Sequence, residues 1–164
     1  MKTSDVIAKR IKKEVDVVFG VTGAAIINLF DSLHKEDVKI IPMHHEQSAA
    51  IAADAYARFK GFGVCLGTSG PGTTNLITGT CCSWFDSIPV LTIGGQVPTK
   101  FLDGKDRQMG FQEVDGLSLF APITKIVARY RSMGDLECCI KVAKESRKGP
   151  TYLELCDDTQ REEI

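Results

Sequence analysis

Apolar residues fall along the chain in short dense runs, separated by stretches with helical periodicity. The runs at 15–21, 38–43, 62–68, 89–94, 123–129 and 151–156 are rich in Val, Ile and Leu rather than strictly alternating, which predicts strands buried on both faces. Between them, 4–13, 24–34, 46–59, 73–85 and 135–147 carry the pattern of amphipathic helices, and 112–119 predicts a further short one. Strand and helix in alternation predict right-handed crossovers. The expected fold is α/β, a three-layer doubly wound sandwich with a mainly parallel sheet of about six strands. Residues 157–164 are polar and are expected to start a linker, which sets one domain over residues 1–156.

A length of 164 residues suits one domain with a real core. Hydrophobic residues make up 43% and the formal net charge is -1, with acids and bases scattered. That balance points away from a nucleic-acid or membrane partner. No apolar run could span a bilayer, and Met1-Lys2-Thr3-Ser4-Asp5 is not the start of a signal peptide, so the expected location is cytoplasmic. The six cysteines include two adjacent pairs and no C-x-x-C. Zinc sites and redox dithiols need other spacings, so reduced and mostly buried thiols are expected, with Cys65 and Cys156 inside strands.

In such folds ligands bind outside the carboxyl ends of the strands. Four suggestive loops fall there: Gly20-Val21-Thr22-Gly23, His44-His45-Glu46-Gln47, Ser69-Gly70-Pro71-Gly72 and Gly94-Gly95-Gln96-Val97-Pro98. The third is no nucleophile elbow, because Pro71 stands where G-x-S-x-G needs glycine. Nor is it a Walker A loop or a G-x-G-x-x-G fingerprint; by itself it reads as a tight turn into a helix. Glu46 at a helix start could serve the macrodipole alone, but its alanine-rich helix suggests burial, and a buried acid needs a partner or a neutral state. Adjacent His44 and His45 on extended chain point to opposite faces, so a shared metal is not expected. Asp86 is expected to order the turn before the fourth strand.

Taken together and in order, several segments resemble the pyrimidine-binding domain of thiamine diphosphate enzymes of the acetolactate synthase group. They are Gly20-Val21-Thr22-Gly23, His45-Glu46-Gln47 with Ala53-Asp54-Ala55-Tyr56-Ala57-Arg58, Thr68-Ser69-Gly70-Pro71-Gly72-Thr73-Thr74-Asn75-Leu76, Asp86-Ser87-Ile88-Pro89, Gly95-Gln96-Val97-Pro98, Phe111-Gln112-Glu113-Val114-Asp115 and Pro122-Ile123-Thr124-Lys125. The resemblance implies that Glu46 hydrogen-bonds N1' of the cofactor's aminopyrimidine and controls its tautomer, with Gln112 as a second catalytic residue. It implies that Thr22, Gly23, Gly70, Pro71, Gly72 and Asn75 surround that ring, and that Phe111 and Lys125 line the substrate side. The implied reaction decarboxylates a 2-keto acid such as pyruvate and joins the product to a second carbonyl compound.

Two departures, Thr22-Gly23-Ala24 in the first loop and the long 103–112 loop, look more like family members of bacterial surface-polysaccharide clusters than those of amino-acid synthesis. Arg147 aligns with an arginine that contacts FAD, within Ser146-Arg147-Lys148-Gly149-Pro150, which departs from the family pattern; FAD is implied no further than that. The Gly-Asp-Gly mark of the Mg²⁺–diphosphate domain is absent, so no metal ligands are expected here. The resemblance therefore implies a partner, the diphosphate-binding domain of the same or a second chain, a homodimer, and no activity for this domain alone. Two alternatives stay open: the α subunit of a split two-subunit 2-keto acid decarboxylase, and a non-catalytic regulatory module of the same fold.

Overall fold

The computed structural model describes residues 1–102, 104 and 106–164, and a six-stranded sheet organises it. Strands β1 (Val17–Gly20), β2 (Lys39–Pro42), β3 (Gly63–Gly67), β4 (Val90–Gln96), β5 (Val127–Arg129) and β6 (Thr151–Cys156) lie in the order β2-β1-β3-β4-β6-β5. Every neighbouring pair is parallel. The helices are α1 (Thr3–Lys12), α2 (Ile27–Lys35), α3 (Glu46–Lys60), α4 (Pro71–Asn75), α5 (Ile77–Asp86), α6 (Gly116–Phe120), α7 (Met133–Lys144) and α8 (Asp157–Arg161).

The sheet is covered on both faces, as its apolar runs predicted. Ile7 and Ile11 of α1, Leu29 and Leu33 of α2, and Leu136 and Ile140 of α7 pack with Val18, Val64, Leu66, Leu91 and Leu153 on one side. The stripe Ala49, Ala50, Ala53 and Ala57 of α3 packs with Leu76, Phe120, Cys65 and Tyr152 on the other. Successive residues Val64, Cys65 and Leu66 alternate between the two clusters, the period of a strand with two apolar faces. Each fully buried Leu or Ile contributes about 1.5–3 kcal/mol.

The departures from expectation are local. The helix foreseen at 73–85 starts earlier, with Pro71 in its first turn, and divides at Leu76. There the amide bonds back three residues, to the Thr73 carbonyl, and tightens the turn. The helix foreseen at 24–34 starts only at Ile27, behind a turn in which the Ile26 amide donates to the Gly23 carbonyl and the Ala25 amide to the Thr68 hydroxyl. The strand foreseen at 123–129 shortens to Val127–Arg129, and a 3₁₀ turn holds Ala121–Ile123.

The expected linker begins as a helix fastened to the domain. Gln160 of α8 is wholly buried. Its Nε2 donates to the Ala25 carbonyl at 2.8 Å, and its Oε1 accepts from the Leu29 amide at 3.2 Å. Asp158 accepts from the Thr99 hydroxyl at 2.6 Å.

All six cysteines are free. Cys65, Cys139 and Cys156 are buried, and burial pushes their thiols up to about 12. Cys82 and Cys138 are exposed instead. Among the described residues no helix is long and apolar enough to cross a membrane.

Candidate active site at the carboxyl edge of the sheet

Strand β1 lies between β2 and β3, so the chain winds first one way and then the other. At such a switch point the loops after the two central strands part and leave a crevice. A cleft of about 420 Å³ opens there. Gly23, Ala24 and Ala25 line it from the loop after β1, and Thr68 and Ser69 from the loop after β3. Val97, Pro98, Phe101, Phe111, Gln112 and Asp157 complete it. Thr68 joins the two loops: its Oγ1 accepts from the Ala25 amide at 3.2 Å, and its carbonyl accepts from Thr73 Oγ1 at 2.8 Å.

Glu46 is the first residue of α3 and only 7% exposed. His45, extended before it, caps the helix: Nδ1 accepts from the Gln47 amide at 3.1 Å. That is a structural use of the imidazole, and His44 beside it is exposed. The alanine stripe of α3 lets α4 and α5 come close, and Asn75, the last residue of α4, reaches Glu46. Its Nδ2 donates to Oε2 at 2.9 Å. The other oxygen, Oε1, faces Gly72, where an added Cβ would stand 3.3 Å away. Glycine there sets no side chain of its own against that oxygen, and the Thr68 methyl lies 2.7 Å from the same point.

Gly70 and Gln112 meet across the rim. Gly70 has φ 59 and Gln112 φ 58, both in the left-handed region that few non-glycine residues adopt. The helix foreseen from 112 therefore begins only at Gly116, behind an Asp115 cap. Phe111 is 82% exposed at the cleft. Glu113 ties this loop back on itself, accepting from the amides of Met109 and Gly110 at 2.8 and 2.9 Å. Thr22 and Pro71 are exposed on the same edge. Asp103 and Lys105 of the long loop lie outside the described residues.

Two expected site residues are elsewhere. Lys125 precedes β5, so it sits at the amino ends of the strands, and its amide donates to the Pro150 carbonyl at 2.8 Å. Its ammonium donates to the carbonyls of Val142 and Glu145 at the end of α7. The expectation that Lys125 lines the substrate side with Glu46 is corrected by this: the parallel sheet separates the two edges. Arg147 is at that far edge too, donating to Ser87 Oγ at 2.8 Å. Both line a second cleft of about 330 Å³ with Trp84, Phe85, Ser87 and Lys148. Asp86, expected to order a turn, accepts from Arg58, which also grips Asp54 of its own helix at 2.7 Å.

Gln96, Glu154 and Arg129 are a network whose roles were not foreseen. Gln96 is buried, its Nε2 donating to the Val114 carbonyl at 2.7 Å and to Glu154 Oε1 at 3.1 Å. Arg129 Nε donates to Glu154 Oε2 at 2.6 Å. Burial holds the Glu154 carboxyl above its ordinary range, although Arg129 and Gln96 pull the other way. The network anchors the end of the Phe111–Gln112 loop to β4 and β6. A lone Glu in the apolar run Tyr152–Leu155 is the sequence signal that could have found it.

Residues 1–119 match the family model described as thiamine pyrophosphate enzyme, N-terminal TPP binding domain. The chain is 41% identical over 170 aligned positions to the probable acetolactate synthase large subunit of Methanocaldococcus jannaschii, covering all of this chain and 28% of that relative. It is 43% identical to the acetolactate synthase isozyme 2 large subunit of Escherichia coli, over 89% of this chain and 27% of the relative. With the acetolactate synthase large subunit of Lactococcus lactis the identity is 36%, over 92% and 26%. The chain thus spans little more than a quarter of the length of these relatives.

Proposed function

The chain belongs to the thiamine pyrophosphate enzymes, as their N-terminal TPP-binding domain of acetolactate synthase type, and from that premise we propose that it furnishes the pyrimidine side of a carboligase site through Glu46. The observation that carries this is a buried carboxyl with one oxygen held by Asn75 and the other beside Gly72. A desolvated carboxyl of this kind fits a ring nitrogen that must be offered a proton and relieved of it. When bound, thiamine diphosphate supplies the carbon centre at which a 2-keto acid such as pyruvate loses carbon dioxide.

The chain's own residues hold and orient. Gly70 and Gly72, on either side of the exposed Pro71 ring, put no side chain in the way of the aminopyrimidine, with Gly23 across the edge. Gln112 and Phe111 border the cleft where a keto acid meets the ring. Mg²⁺ and the diphosphate fall to a separate domain, of the same chain or of a partner in a homodimer, so this domain alone is inactive. The setting is cytoplasmic. At the far edge, the Arg147 cleft sets cations beside Trp84 and Phe85, which suits an anionic, aromatic group such as FAD.

The test is reconstitution. The chain is mixed with a diphosphate-binding domain from a relative, Mg²⁺ and thiamine diphosphate, and pyruvate consumption is followed. Activity is expected in the mixture and not from either part. Glu46→Gln is expected to lower it by about 10²- to 10⁴-fold while the thermal unfolding midpoint stays put. Full activity of that variant would remove Glu46 from the mechanism.

A further inference from the structure

We propose that Asn75 is a positioning residue for Glu46: by holding Oε2 it makes Oε1 the oxygen that carries the exchanging proton. This rests on the function proposed above. The side-chain amide nitrogen of Asn75 is a donor only, and it lies 2.9 Å from Oε2. In a neutral carboxyl one oxygen is a hydroxyl and the other a good acceptor. The amide therefore engages the acceptor, and the hydroxyl proton is left on Oε1.

The surroundings of Oε1 fit that assignment. It faces the position where Gly72 has no side chain, so nothing on that residue competes for its proton. Loss of the proton does not release the carboxyl either, because the same amide donates still more strongly to a carboxylate. Glu46 can thus exchange a proton without turning about its own carbon. Asn75 is placed for this by the tightened turn at Leu76, which ends α4 and lets α5 start on a new line. A glutamate without this donor would put its proton on either oxygen, and only one of the two arrangements serves a ligand ring.

Two variants test this on the full chain. Asn75→Leu keeps nearly the same volume and removes the donor at every pH. Asn75→Asp sets a second carboxyl against Glu46; two such neighbours do not both ionise readily. At low pH the introduced carboxyl is protonated and donates as the amide does.

Thermal midpoints are measured from about pH 3, below the ordinary carboxyl values of about 3.9 and 4.3, up to about pH 8. Asn75→Asp is expected to match the parent at the acid end and to fall progressively behind it as the pH rises. Asn75→Leu, which brings no new titrating group, is expected to lie below the parent at every pH. An Asn75→Asp profile parallel to the parent would overturn the proposal. Calorimetric binding of thiamine diphosphate with Mg²⁺, with the separate diphosphate-binding domain present, is the second readout, with Asn75→Leu about 10-fold weaker than the parent. Equal binding by parent and Asn75→Leu would overturn the positioning role. If the parent itself binds no cofactor while the pH profiles separate as described, the proposed function and the proton's role fall together, but the Asn75–Glu46 pairing stands.

Discussion

A Cβ on Gly70 would lie 2.6 Å from the carbonyl oxygen of Gln112, so the two loops that flank the cleft touch backbone to backbone. Gly70→Ala therefore meets two obstacles, the contact and the left-handed φ of 59. The expected effect is a destabilisation of about 1–3 kcal/mol, read by urea unfolding. Faster amide exchange at Glu113 and Val114 should accompany it, because the Gln112 loop must move away.

Glu46→Gln keeps the acceptor for Asn75 but holds no exchangeable carboxyl proton. In a reconstituted enzyme the loss should be about 10²- to 10⁴-fold in turnover, the usual worth of a positioned acid or base. The binding of pyruvate should change far less. Comparing turnover with the Michaelis constant checks this.

Gln160→Leu removes bonds to Ala25 and Leu29 from a wholly buried position. It should cost about 1–3 kcal/mol, the penalty of orphaned backbone groups. Truncation after Cys156 should cost more, since the Asp158–Thr99 contacts go with it. Both are measured by chemical unfolding. A truncated chain as stable as the parent would return 157–161 to the status of a linker.

Glu154 gives a pH signature. Its carboxyl is held above the ordinary range when folded, so folding favours its protonated form. Its contribution to stability is present below the unfolded pKa, about 4.3, and is lost as pH rises through the folded value. Asp158 works the other way: burial raises it, but the hydroxyl and amide of Thr99 outweigh that and hold it low. Its contribution is present above the unfolded value of about 3.9 and lost in more acid solution. The difference in unfolding free energy between the parent and Glu154→Gln, measured across mildly acid to neutral pH, should therefore fall as pH rises.

The layers and the sheet were legible in the sequence because strands buried on both faces advertise themselves. The run at 151–156 is β6 to the residue. The first helical residue of α3 was legible too, since Glu46 follows an extended His45 and opens an alanine stripe. Long-range polar pairings were less so. Nothing local announces that Gln160 will reach Ala25, 135 positions away, and polar character alone made the tail look like a connector. Lys125 misled for a related reason: a motif match carries no information about which end of a parallel strand it occupies. Gln112 defeated a helical reading because a tertiary contact with Gly70 overrode local preference.

Thr68 has one further consequence. An added Cβ on Gly23 would come within 2.5 Å of the Thr68 side chain, and one on Gly72 within 2.7 Å. The three positions share one small volume, filled by a single branched side chain. In evolutionary terms they form a locked triplet. Across relatives, a larger residue at 23 or 72 should occur only with a smaller one at 68, and variants altering one position alone should be selected against even where the catalytic carboxyl is intact.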